Sequence, residues 1–301
     1  MRRGLSVLAD YVNLCGESPL WDVQQQCLYW TDALGARFFR YQWNSNVHQC
    51  VKQGIEINSV ALQEDGGFVI ANNFGIWIWD GGDSLKLIAE EFEGAKCRVN
   101  DCIADPRGRL IAGSNFYDPS VDYPFGKLFC VYSSGVIDIL DEGFHLANGL
   151  GFSPDCNTLY FTDSIARCIL AYDYDVEMGA AKNRRTLVKV PRAEGIPDGL
   201  TIDREGFLWS AQWYGGCVVR YDPDGKVERR LMIPAKQPSS IAFGGPELTD
   251  IFITSANSPD PSPAMPIGYD PNSGYQGGAL FHTNLGIPGK REFLTKIAAR
   301  R

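Results

Sequence analysis

The sequence predicts an all-β protein: a six-bladed β-propeller with a central channel, its ring closed by the N-terminal strand. Three observations carry this expectation. A short apolar strand recurs six times, starting at Leu28, Phe68, Leu110, Leu159, Leu208 and Ile251, at intervals of 40, 42, 49, 49 and 43 residues. A period of that size, made of strands and turns, is the signature of a propeller blade. Each of these strands is preceded across a tight turn by another, as in Gly199-Leu-Thr-Ile-Asp203, Arg-Glu-Gly, Phe207 onward, where Asp-x-x-Gly marks the hairpin. Six such units occupy the 301 residues and leave nothing for a second domain, so residues 1–301 read as one propeller.

In chain order, residues 5–11 read as a strand ahead of the first unit, expected to pair with the last blade, residues 278–295, and so cover an edge that would otherwise template association. The three distinct strands of each unit then fall at 18–22, 28–32 and 37–41; 59–63, 68–72 and 75–79; 101–105, 110–114 and 127–132; 149–153, 159–163 and 168–172; 199–203, 208–212 and 217–221; and 240–244, 251–255 and 278–282. Fourth strands are less distinct. Residues 115–126 form a long connection rich in aromatics and Pro, suited to a lid over a pocket. Gln212-Trp-Tyr-Gly-Gly216 is a candidate for the channel rim, and Ser258–Gly277, with five Pro, for an irregular loop. The Asn72-Asn73-Phe74-Gly75 turn is accounted for by turn chemistry alone.

The residues immediately before the first strands are Glu17, Asn58, Asn100, Asn148, Asp198 and Ser239. All six are polar and carry a side-chain oxygen. Because the innermost strand of each blade lines the axis, equivalent positions form one ring at one mouth of the channel. A lone Glu before a strand is ordinarily a solvated loop residue, but the ring position argues for function. Arg98 and Asn100 alternate along an extended segment and so face one side, an Arg fork and a carboxamide suited to holding hydroxyls and carbonyls. The commoner role for such an Arg is an ion pair, and Asp101 is the acid at hand.

Composition narrows the function classes. The charge is 28 − 36 = −8, with no long run of either sign, which argues against nucleic acid or an anionic membrane as partner. The basic start, Met1-Arg-Arg, lacks the apolar core of a signal peptide, and no apolar run approaches the ~20 residues of a membrane helix. The nine Cys include no CxxC pair and read as free thiols of a reducing, cytoplasmic compartment. His48, His145 and His282 show no metal-ligand spacing, and there is no GxSxG elbow, Walker loop or GxGxxG before a helix. What remains is the ring. Converging carboxylates at Glu17 and Asp198 would repel unless a divalent cation neutralised them, with Asn148 as a neutral oxygen donor. All-oxygen ligation suits Ca, Mg or Mn without excluding Zn or Fe(II). Three protein ligands leave positions open for substrate.

Several motifs together, Gly16-Glu-Ser-Pro-Leu-Trp-Asp22, Arg98-Val-Asn-Asp-Cys-Ile-Ala-Asp105, Ala147-Asn-Gly-Leu-Gly-Phe-Ser-Pro-Asp155, Ile196-Pro-Asp-Gly-Leu200 and Tyr214-Gly-Gly-Cys-Val-Val-Arg-Tyr221, resemble the gluconolactonase/senescence-marker-protein (regucalcin-like) family over about residues 13–257. The resemblance implies a six-bladed propeller that hydrolyses sugar lactones with one divalent metal held by Glu17, Asn148 and Asp198. It implies substrate contacts at Arg98 and Asn100 with Asp101 nearby, and aligns Asp118 with a family glutamate one methylene longer. It also implies metal-assisted ester hydrolysis, the cation polarising the lactone carbonyl and orienting water, with Asp198 as general base and a small-molecule sugar lactone as partner of a monomer or weak oligomer. A propeller hydrolase of other esters or phosphotriesters is one competing reading, and a non-catalytic metal- or ligand-binding propeller is another.

Overall fold

The computed structural model describes residues 3–92, 95–115, 125–258 and 264–298. It contains six four-stranded antiparallel sheets arranged as blades, plus a two-stranded ribbon, Glu91–Phe92 with Ala95–Lys96, on the way into the third blade. No helix occurs among the described residues, and none is long and apolar enough to cross a membrane. The inner strands of blades 1 to 6 are Gly16–Asp22, Ser59–Leu62, Val99–Ala104, Ala147–Phe152, Ile196–Ile202 and Pro238–Gly244. Each packs against the next, and the sixth against the first, so they stand as staves around an axis.

Closure follows the expected route. Arg3–Asp10 is the outer strand of blade 6, antiparallel to Ala279–Asn284, with Ser6 opposite His282 and Asp10 opposite Ala279. One blade thus joins both ends of the chain. The apolar residues are divided into six clusters, one between each pair of neighbouring blades. Trp30, Phe39 and Trp21 meet Phe252 between blades 1 and 6, for example, and Phe144, Phe152 and Phe161 fill the space between blades 3 and 4. The core therefore lies between the blades and leaves the axis open.

The Asp-x-x-Gly turns have a specific use. Asp203 Oδ1 accepts from the backbone N–H of Glu205 at 2.9 Å and of Phe207 at 3.0 Å, while Gly206 takes a positive φ of 87° that suits glycine. Asp203 Oδ2 then accepts from Trp209 Nε1 and the Arg220 guanidinium, which lies 3.7 Å from the Phe207 ring. Asp105 binds Arg109 and Tyr174 in the same manner in blade 3. These buried, fully satisfied networks close the blades at the end away from the ring.

That end is also plugged by the C-terminal segment, which was not legible in the sequence. After its last strand the chain crosses the face of the ring. Gly289 N–H donates to Leu248, Thr295 to Leu62, Lys296 to Gly108 and Ala298 to Ser133, joining blades 6, 2 and 3. Glu292 and Phe293 enter the channel and leave a gap of about 70 Å³ between themselves and the inner strands. The channel is accordingly a cup with one mouth.

Candidate active site at the mouth of the channel

The ring residues lie inside the inner strands rather than ahead of them, Asn58 excepted, because pairing with the second strand continues past an irregularity. Register shifts fall at Glu17/Leu20, Val99/Asp101, Asn148/Leu150, Pro197/Leu200 and Pro238/Ser240. A bulge inserts a residue and re-aims the side chain beside it, and here the same device is repeated at the same height in five blades. Ser18 adopts a positive φ of 48° to make the turn after Glu17. Glycine is required where inner strands converge. A Cβ on Gly149 would stand 2.5 Å from the Asp198 carbonyl oxygen, and one on Gly199 2.2 Å from Ser240 Oγ.

The neutral members of the ring act as latches between blades. Asn58 Nδ2 donates to the Val99 carbonyl at 2.8 Å, and Asn100 Nδ2 to the Ala147 carbonyl at 2.8 Å and to Asn148 Oδ1 at 2.7 Å. Asn148 Nδ2 donates to Ser164 Oγ at 2.9 Å, which donates in turn to the Pro197 carbonyl at 2.7 Å. Ser239 Oγ donates to the Gly16 carbonyl and so is spent on blade 1. This chain fixes each amide by its N–H end and leaves the carbonyl oxygens of Asn58 and Asn100 unengaged among the described residues.

The acids have no such latch. Asp198 is 5% exposed, and no donor among the described residues reaches its carboxylate. Glu17 receives only the Ser18 N–H, at 3.2 Å. Burial, then the neighbouring charges of Asp198 and Asp101, push the Glu17 carboxyl well above its ordinary range; burial, then Asp101, does the same to Asp198. Asp101 is pushed up to about 6 by burial, against the opposing hydrogen bonds from Ser59 Oγ at 2.7 Å and the Cys102 N–H at 2.8 Å. Burial, then Glu17, Asp198 and Asp32, raise the Cys15 thiol. Three acids therefore share one water-poor floor with no cationic side chain among the residues that line it.

That donor set fits a divalent cation. Glu17 and Asp198 supply two charges, and Asn148, held by Asn100 and Ser164, presents an amide oxygen with a lone pair to spare. Among the described residues no three His, Cys, Asp or Glu side chains form a metal-holding group, so a cation held here would draw on the amide as well as the two acids.

The ring opens into a cavity of about 300 Å³. Glu17, Asn100, Asp101, Asn148 and Asp198 all line it. Arg98 does not: it precedes the inner strand of blade 3, its side chain is exposed, and the irregularity at Asn100 interrupts the alternation that would keep the two side chains together. Nor does it pair with Asp101, whose Oδ1 is taken by Ser59 and Cys102. Asp118 lies outside the described residues, as does most of the 115–126 connection. The 258–277 insert has no strand among its described residues and packs Tyr269 against Tyr214 at 4.6 Å. Trp213 and Tyr214 do stand on the rim, and Tyr214 holds a positive φ of 65°, an uncommon state for a bulky residue. The sequence reading missed Asn73 and Asn115, whose side chains meet on the wall at 3.4 Å, and Asn73 does more than serve its turn. It missed the apolar lining too: Leu34, Leu146, Ile165 and Ile196.

Comparison with known proteins yields a consistent picture. Residues 15–257 match the family described as SMP-30/Gluconolactonase/LRE-like region. The chain is 35% identical over 286 residues to a pentonolactonase of Haloferax volcanii, covering 94% of each. It is 33% identical over 295 residues to a 6-deoxy-6-sulfogluconolactonase of Pseudomonas putida, covering 97% of this chain and 98% of that one. Among solved structures, a regucalcin of Agrobacterium tumefaciens, described as a calcium-binding protein, superimposes with a TM-score of 0.83 at 26% identity, over 98% of this chain and 97% of that one.

Proposed function

The chain belongs to the SMP-30/gluconolactonase/LRE-like family, and on that premise we propose that it hydrolyses a sugar lactone to the corresponding aldonic acid, with one divalent cation held by Glu17, Asn148 and Asp198. The observation that carries the reading is the pair of unlatched carboxylates, Asp198 buried and Glu17 half-buried, which no donor among the described residues ties to a neighbouring blade. Buried acids without donors destabilise a fold; a bound cation reverses the sign of that term. The likeness to a pentonolactonase supports the reaction class, and the likeness to a calcium-binding regucalcin supports the cation.

When bound, the cation supplies polarisation of the ester carbonyl and charge compensation for the two acids. The remaining steps belong to the chain. Asn58 and Asn100 offer their free carbonyl oxygens to substrate hydroxyls and set the ring of the lactone over the floor. Arg98, exposed and outside the cavity lining, is left for groups that extend beyond the mouth. A water oxygen bonds to the carbonyl carbon and gives its proton to the Asp198 carboxylate oxygen that is turned away from the cation, no donor among the described residues competing for it. The ring C–O bond breaks and the proton passes to the departing alkoxide. The reaction fits a cytoplasmic enzyme of sugar oxidation. The cation is one of Ca, Mg, Mn, Zn or Fe(II).

Acid release from a panel of aldonolactones, followed with a pH indicator, tests the proposal. The expected result is hydrolysis of at least one lactone that chelator abolishes, a single cation restores and Asp198→Ala eliminates. Undiminished activity in Asp198→Ala would remove the reaction from this site.

A further inference from the structure

A second cavity, of about 460 Å³, lies behind Ile165, which lines the catalytic cavity as well. Three cationic residues line it, Arg167, Lys189 and Arg192, and no acidic residue does so among the described residues. In a chain of net charge −8 this is a local reversal of sign.

Arg167 is built into this cavity rather than solvated at its edge. It is 7% exposed and takes a positive φ of 56° in the turn after the second strand of blade 4. Its guanidinium reaches across to the segment that enters blade 5. Nε donates to the Val190 carbonyl at 3.4 Å, and Nη2 to the carbonyls of Pro191, Glu194 and Gly195 at 2.8, 2.6 and 2.7 Å. Nη1 donates to the Ala264 carbonyl at 3.1 Å, and its second hydrogen has no partner among the described residues. Carbonyl dipoles satisfy N–H groups but carry no net charge, so the buried cation stays uncompensated. Among the described residues no carboxylate pairs with any of the three cations. Glu194, the nearest in sequence, is taken by Arg230 at 2.9 Å. Lys189 Nζ holds the Ala166 carbonyl at 2.5 Å and keeps two donors to spare. Burial, then Arg192, lower Arg167 below its ordinary range, against the pull of Glu194.

We propose that this cavity binds a small oxyanion, a carboxylate or phosphate group held by Arg167, Lys189 and Arg192. Such a group has lone pairs for the spare Nη1 hydrogen and for both exposed cations, and its charge offsets the repulsion between Arg167 and Arg192. A neutral ligand supplies no such charge. The catalytic cavity repels the same group through Glu17, Asp101 and Asp198, so the two cavities have opposite preferences. The site goes beyond the hydrolysis proposed above and does not depend on it. Two sources present the chemistry: the aldonate that hydrolysis releases, and a phosphate. Arg167 also holds the carbonyls of Glu194 and Gly195, which lead through Ile196 and Pro197 to Asp198. An occupant therefore touches the residue that sets the entry of the strand bearing Asp198.

Calorimetric titration of metal-free protein with inorganic phosphate and with gluconate, at constant ionic strength in Tris chloride free of chelator, tests the proposal. The expected result is saturable binding of one equivalent of at least one of them, weakened about tenfold or more in Lys189→Gln and in Arg192→Gln and retained in Asp198→Asn. Both replaced side chains are exposed, so thermal unfolding without the anion should be unchanged. Tighter binding of gluconate assigns the carboxylate source and tighter binding of phosphate the other; either order supports the site. Absence of saturable binding, or binding that survives both Gln replacements, overturns the inference. Neither Lys189 nor Arg192 lines the catalytic cavity, so the hydrolysis assay decides the lactonase reading separately.

Discussion

Replacing Asp101 by Asn should stabilise the metal-free protein, by an amount that depends on pH. Asp101 is displaced from 3.8 to about 6, chiefly by burial. The native state therefore binds the proton more tightly than the unfolded chain, and between pH 3.8 and 6 stability falls as pH rises. The full displacement corresponds to about 3 kcal/mol at 1.36 kcal/mol per unit, or roughly 5 °C in Tm for a domain of this size. Asn keeps an oxygen for Ser59 and the Cys102 N–H, so little else changes at the site. It also relieves Glu17 and Asp198 of a like charge. Thermal unfolding in chelator at pH 4 and pH 8 reads the effect. Asp101→Asn should match the wild type at pH 4 and exceed it by several degrees at pH 8. Saturating cation should shrink the advantage, since the charge removed is one the cation attracts. A variant that is less stable by the same margin at both pH values would mean that Asp101 matters only as a hydrogen-bond acceptor, and the electrostatic account of the floor would fail.

Other perturbations address the frame. Asn148→Ala removes an amide oxygen and one of the two side-chain bonds that each of Asn100 and Ser164 makes; calorimetric cation affinity should fall about 10- to 100-fold, with a parallel loss of hydrolysis. Gly149→Ala forces a methyl to within 2.5 Å of the Asp198 carbonyl oxygen, and the required backbone shift should cost about 1–3 kcal/mol in denaturant unfolding while moving Asp198 enough to depress activity in protein that is still folded. Deleting residues 3–10 uncovers the Ala279–Asn284 edge; size-exclusion chromatography should show association, with a broadened thermal transition.

The repeat, the closure and the ring were legible because each recurs. Six equivalent positions each carried a side-chain oxygen, which a single loop acid never reveals. The strand limits were not, since a bulge at Asn148 or Asp198 breaks the period-two pattern where the functional residue sits. Outer strands such as Val227–Met232 face solvent along most of their length and carry no apolar alternation to betray them. Leu34, Ile165 and Ile196 occupy turns and strand ends, where an apolar residue has no pattern to join. Asn73 was hidden by its own suitability for a turn. The C-terminal plug lacks any period: its hold comes from isolated backbone bonds to four blades and from Phe293 and Ile297 entering clusters made elsewhere.

The division of labour around the ring explains why the site stands where it does. A propeller has no central core, so its inner strands must be tied to one another by polar contacts, and Asn58, Asn100 and Ser239 each spend a donor on the blade that follows. A carboxylate in the same position has no donor to spend. Glu17 and Asp198 therefore weaken the ring twice over, by omitting a latch and by adding buried like charge. Blade closure through Arg3–Asp10, the Asp203 and Asp105 networks and the C-terminal plug lie outside that ring and hold the blades without it. Stability supplied by the frame allows two unlatched acids to persist at the mouth, and a cation that binds them restores the tie the fold omitted. Cation binding and resistance to unfolding should therefore rise together in the wild type and become independent once either acid is replaced.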